Sequence, residues 1–236
     1  MTVNRPTKTR NRLGSILGRS ILLIALALQG AEHAGAAENR LVAEFWAELQ
    51  PTVRPDADVA VRREAVIRQM LEEAQWTFSG MIYGYRFSYT PFDRRRGVDE
   101  QFTLEPIASI PWGDPALTVI ATRQEGGRHL ARIQYVMVDH QARRHTAWQS
   151  RSVSRSAGTG QVSLWPGIEQ KQLAVEDAVR MAVRERLRVM SPNKPAAAHG
   201  RVVLAAPPRI WILSGAYHAS VQIRMDVDEI RRYELF

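Results

Sequence analysis

Three features of the sequence predict an α+β fold: an antiparallel sheet of about five to seven strands, with two or three amphipathic helices packed on one face. Apolar residues recur at helical spacing through two long segments, 56–80 and 173–190. Apolar and polar side chains alternate from Tyr83 to Tyr89 and from Tyr217 to Val227, as in a strand with one wet face. Gly126-Gly127 sits between two extended runs, where glycine supplies the positive φ angles of a tight hairpin. Strands with one solvated face belong to antiparallel sheets, and their other face needs a helical cover.

The first 36 residues have a different logic. A basic stretch (Arg5, Lys8, Arg10, Arg12, Arg19) precedes the apolar run Ile21–Leu28 and the small residues Ala34-Gly35-Ala36-Ala37. This three-part pattern is that of a cleaved signal peptide, with cleavage after Ala36 or Ala37. The apolar run has 8 residues, against the roughly 20 needed to span hydrocarbon. The expectation is a cleaved segment 1–36 followed by a single α+β domain, 37–236, with no integral membrane segment.

From Glu38 to Gln50, Leu41, Val42, Phe45, Trp46 and Leu49 recur at intervals of three and four, predicting a short helix stopped by Pro51. After the connector 51–55, Asp56 or Asp58 is placed to cap a longer helix reaching Gly80. The aromatic strand Tyr83–Tyr89 follows and Pro91 closes it. Asp93-Arg94-Arg95-Arg96-Gly97 reads as a charged turn, and 100–110, broken by Pro106 and Pro111, as an edge strand. Leu117–Arg123 and His129–Val138 make the hairpin, its second strand running on toward Trp148. Arg151–Gly160, rich in Ser, Arg and Gly, reads as a turn or mobile loop, and Val162–Trp165 as a short strand. A helix over Leu173–Met190 ends at Pro192, and 191–200 is a flexible connector. Arg201–Ala205, Arg209–Leu213 and Tyr217–Val227 complete the sheet.

Composition narrows the function classes. The absence of cysteine excludes disulfides, thiol chemistry, thiolate metal sites and lipid attachment through an N-terminal Cys. The full chain carries 32 basic and 24 acidic residues, a net of +8; without the signal segment these fall to 27 and 23, a net of +4. That balance, outside the cytoplasm, gives no footing for nucleic-acid binding. No G-x-S-x-G elbow, HExxH, phosphate loop or dinucleotide fingerprint occurs, and no cofactor is implied. Arg232 and Glu234 share a strand face with Phe236, which argues against an outer-membrane barrel, as do the three helices.

The residues that could carry chemistry are few. His140 and His145 lie too far apart in sequence to converge on a metal, diverging by about 140° on a helix. No metal site is therefore expected. His218, Asp226 and Asp228 share the polar face of the last long strand, where alternate carboxylates about 7 Å apart could do acid–base work. Tyr85 and Tyr89 belong to an aromatic cluster that reads first as core and second as a stacking surface for a ligand. Arg94, Arg95 and Arg96 at its rim are suited to anionic groups. The leading reading is a non-catalytic exported protein, periplasmic or extracellular, that binds an envelope protein or an anionic envelope polymer. The alternatives are an exported hydrolase built on His218, Asp226 and Asp228, and a small-ligand carrier lined by the aromatic strand.

Overall fold

Leu41, Ala43, Phe45 and Ala47 are buried while their neighbours are exposed or half-buried, so Arg40–Glu48 is a strand, β1. The helix expected over 38–50 is corrected by this alternation: the apolar residues satisfy a period of two as well as one of 3.6. An isolated helix of that length is marginal, and pairing with a neighbouring strand satisfies the same backbone groups. The computed structural model describes residues 39–48, 63–150, 152–165, 170–191 and 193–233. The signal segment, the 51–55 connector, the caps at Asp56 or Asp58, Pro192 and Phe236 lie outside the described residues. The chain divides into two compact units, Met1–Arg40 and Leu41–Phe236, and the elements below belong to the second.

Helix α1 (Arg63–Ile82) buries Val66, Met70, Ala74 and Phe78, one residue per turn on one stripe. Strands β2 (Tyr85–Thr90) and β3 (Gln101–Pro106) pair antiparallel, and β3 is an edge strand, a position that suits Pro106 at its end. Strands β4 (Leu117–Glu125) and β5 (Arg128–Val136) form the hairpin, closed by Gly126-Gly127 with φ of 56° and 75°. The chain then turns helical: α2 (Asp139–Trp148) replaces the strand expected to run toward Trp148. Buried Gln141 explains the change. Its amide oxygen accepts from the Val138 N–H at 3.0 Å, and its amide nitrogen donates to the Tyr83 hydroxyl at 2.7 Å. One side chain thus caps the helix and ties it to α1's exit.

The segment expected to be a loop, 151–160, is largely strand β6 (Ser154–Ser163). Gly158 and Gly160 are there because helix α3 (Gln170–Met190) crosses them at backbone distance. A Cβ on Gly158 would lie 2.3 Å from the Ala178 carbonyl oxygen, and one on Gly160 2.2 Å from the Ala178 nitrogen. Strand β7 (Ala197–Leu204) starts inside the predicted connector, followed by β8 (Arg209–Leu213) and the long β9 (Ala216–Arg231). Ser214 and Gly215, with φ of 51° and 73°, make the two-residue turn between β8 and β9.

These strands form two antiparallel sheets, one of three strands in the order β1-β5-β4 and one of six in the order β3-β2-β7-β9-β6, with β8 also on β9. β9 pairs with β6 through its first ten residues, while its other edge pairs first with β8 and then with β7. Tyr85, Val202 and Met225 lie in one row of the large sheet, on the face that α3 and α1 cover. α1 lies between the sheets: Phe78 meets Phe45 of β1 edge-on at 5.8 Å, and Trp76 meets Tyr85 of β2 at 5.9 Å. A buried ion pair crosses the same layer, with the Lys171 ammonium 3.0 Å from Glu73, bonded to the Trp46 carbonyl and 3.8 Å over the Trp46 ring. Among the described residues no helix is long and apolar enough to cross a membrane.

Candidate binding cleft beside the arginine turn

The charged turn after β2 is built on a buried carboxylate. Asp93 Oδ1 accepts the backbone N–H groups of Arg95 and Arg96 at 3.0 and 3.4 Å, and its Oδ2 accepts from the Arg96 guanidinium at 2.9 Å. The Arg96 contact is the main reason the Asp93 carboxyl is held below its usual range. Arg96 also lies over the Tyr233 ring at 4.0 Å. The three arginines therefore divide: Arg96 fixes the turn, while Arg94 and Arg95 point outward, exposed, with no ion-pair partner among the described residues.

Beside this turn lies a cleft of about 570 Å³ between the end of β2 and the last turns of α3. Tyr89, Pro91 and Phe92 line one side, Arg184 and Arg188 the other, and Lys194 closes the end, donating to the Phe92 carbonyl at 2.9 Å. Cations gather at the end of α3 because the helix C-terminus carries unsatisfied carbonyls and partial negative charge. Glu100 supplies a carboxylate, but it is already engaged. It accepts from the Tyr89 hydroxyl at 2.7 Å and from Arg180, and Arg184 stands 3.9 Å away. Burial, and then this bond to Glu100, push the Tyr89 phenol well above its ordinary range, so it stays protonated and keeps donating. Three cations line the cleft against one lining carboxylate, Glu100, although Arg188 also pairs with the exposed Glu185 at 3.3 Å; the excess of positive charge in the lining suits carboxylate or phosphate groups.

The other sequence candidates are placed apart. Tyr85 and Phe87 are buried in the interior between α1 and the large sheet, which leaves Tyr89 as the member of the aromatic strand that reaches a cavity. His218 stacks on Trp211 at 5.6 Å near one end of β9. Asp226 and Asp228, half exposed, lie toward the other end and share Arg201, at 2.7 and 3.6 Å. Eight residues of strand separate His218 from Asp226 by about 26 Å, so the three do not form one cleft. His140 and His145 lie on α2 and do not converge, and burial lowers the His145 pKa. No group of three metal-ligating side chains occurs among the described residues. Ser79 is a structural latch, donating to the Gln75 carbonyl at 2.6 Å and accepting the Ile110 N–H at 2.9 Å.

Sequence reasoning missed Arg184, Arg188, Lys194 and Glu100. Arg184 and Arg188 lie on a helix and Lys194 in a segment that reads as a connector, and no local pattern joins them into one site. The bond from Arg180 of α3 to Glu100 and that from Lys194 to the Phe92 carbonyl bring them beside the arginine turn.

No solved structure matches this chain. It is similar to an uncharacterized protein of Treponema pallidum (strain Nichols), 25% identical over 193 residues that make up 81% of each chain. A protein-family model matches residues 29–233, and the chain belongs to that family.

Proposed function

We propose that the protein is exported and acts in the cell envelope, periplasmic or extracellular, as a non-catalytic binding protein that holds an anionic polymer or partner in the cleft beside the arginine turn. One observation carries the reading: Arg184, Arg188 and Lys194 converge on a cavity whose carboxylate, Glu100, is already bonded, and the exposed Arg94 and Arg95 follow its lining residue Phe92 closely in the chain. Support for export comes from the basic, apolar and small-residue order of the first 36 residues.

The binding reading is tested with the full chain and polyglutamate, a carboxylate polymer. Binding is expected to be salt-labile, since exposed charges are screened beyond about 10 Å at 0.1 M salt. The variant Arg94→Glu/Arg95→Glu/Arg188→Glu, which keeps Arg96 on Asp93, is expected to weaken it at least tenfold, on the order of 1.4 kcal/mol. Undiminished affinity in that variant would remove the cleft as the site. For export, N-terminal sequencing of the protein recovered from a double-membrane bacterial host is expected to begin at Ala37 or Glu38. An intact Met1 in the cytosolic fraction would defeat the export half of the proposal.

A further inference from the structure

A second group of cations centres on the other face of the large sheet, where Arg155 and Arg224 stand, with Arg186 of α3 reaching in from the sheet's β6 edge. Arg155 of β6 and Arg224 of β9 are directly paired across the two strands. Like charges in that position repel. Arg224 is also 4% exposed, although its place in the alternation puts it on the face opposite Ile223 and Met225. The turn after α2 covers it: its terminal nitrogens donate to the Ser150 carbonyl at 2.7 Å and to the Gln149 side-chain oxygen at 3.2 Å. Its Nε is buried without a partner. No carboxylate forms an ion pair with Arg155, Arg186 or Arg224 among the described residues. A buried guanidinium without counter-charge is costly, and here burial, then Arg155, depress the Arg224 pKa.

Two open cavities meet at Arg155. One, about 410 Å³, is bordered by Gln149, Gln222 and Arg224; the other, about 550 Å³, by Ser152, Ser154 and Arg186. Neither lining includes Asp or Glu. Arg186 reaches the Ser154 hydroxyl at 2.9 Å and, like Arg224, has a buried, unpartnered Nε. Guanidinium forks, amides and hydroxyls are donors or can donate, so the cavities are furnished for an oxyanion. The charge count selects its type. A carboxylate brings one negative charge and occupies one fork, whereas a phosphate group brings about −1.5 to −2 and three oxygens. We propose that Arg155 and Arg224, with Gln222 beside them, form a binding site for a phosphate group, either free phosphate or a small phosphate monoester. This site is distinct from the cleft beside the arginine turn and does not depend on it.

The test uses the full chain and titrates inorganic phosphate, glycerol phosphate and acetate calorimetrically in chloride buffer. Saturable binding of phosphate is expected, with acetate at least tenfold weaker. Arg155→Gln, an exposed position, is expected to weaken phosphate at least tenfold with no loss of folded circular dichroism, and Arg224→Gln to abolish it. Should Arg224→Gln fail to fold, Arg155→Gln still decides. Tighter glycerol phosphate than phosphate makes the monoester the ligand, and the reverse makes it the free ion. Unchanged phosphate binding in Arg155→Gln overturns the proposal, as does equal binding of acetate. Loss of phosphate binding in Arg94→Glu/Arg95→Glu would place the anion in the other cleft and overturn it too.

Discussion

Gly160→Ala is expected to destabilise the fold by about 3 kcal/mol, at the upper end of what overpacking a filled interior costs. The new methyl carbon would lie 2.2 Å from the Ala178 nitrogen and 2.6 Å from the Ala174 carbonyl oxygen. Both are helix backbone, which cannot swing aside as a side chain can. Relief requires lifting α3 from β6, and with it the buried Ala174, Val175, Ala178 and Ala182 that hold helix and sheet together. Gly126→Ala is the matching control, because a Cβ there meets nothing within 4 Å and only the φ of 56° opposes it. That backbone penalty is about 1–2 kcal/mol. Urea unfolding of both variants ranks them, and a Gly160 variant no weaker than the Gly126 variant would mean that helix and strand are not in backbone contact.

Lys171→Met is the second large effect, with an expected loss of about 3 kcal/mol from stranding one partner of a buried pair. The Lys171 side chain is 4% exposed and that of Glu73 17%, so neither charge is well hydrated. With the ammonium gone, Glu73 would face the Trp46 region uncompensated. Lys171→Met/Glu73→Gln is expected to recover more than half of the loss, because the stranded charge is then gone as well. Denaturant midpoints of the two single variants and the double variant measure this directly. A double variant as unstable as Lys171→Met would assign the loss to the Lys171 contacts with Trp46 rather than to the carboxylate.

What the sequence made legible follows from where one period fits and another does not. The alternation of Tyr217 to Val227 fits no helix, and β9 is there. Val66, Met70, Ala74 and Phe78 fit no strand, and α1 buries all four. Leu41, Val42, Phe45 and Trp46 fit either period, so the choice fell to β-pairing that no local pattern records. In 151–160 the error had another source. Gly158 and Gly160 provide room for a helix backbone, and in sequence that need looks the same as chain freedom. The period of Asp139–Trp148 does not reveal its helical state because Gln141 is held by Tyr83, 58 residues away in sequence, as well as by the nearby Tyr135.

The candidate sites show the same divide. Arg94, Arg95 and Arg96 announce a cationic turn by adjacency, but their partition into one structural and two outward arginines depends on Asp93. Arg224 stood in an alternating strand as one more wet-face residue. Alternation assigns a side chain to a face; it does not say whether a turn such as Gln149–Ser150 will roof it over. The cations of α3 and Lys194 needed the third dimension altogether.

The position of β9 has a consequence for the order of events during synthesis. It is the last of the described strands, yet β6, β7 and β8 all hydrogen-bond to it, and β2 and β3 join the sheet only through β7. A ribosome releases chain from the N-terminus onward, so β6, β7 and β8 all emerge before the strand that must hold them. Until β9 arrives, α3 has no completed surface to dock on, and the large sheet closes late. The three-stranded sheet β1-β5-β4 does not depend on β9, so the large sheet is the part of the chain that stays open longest during translation.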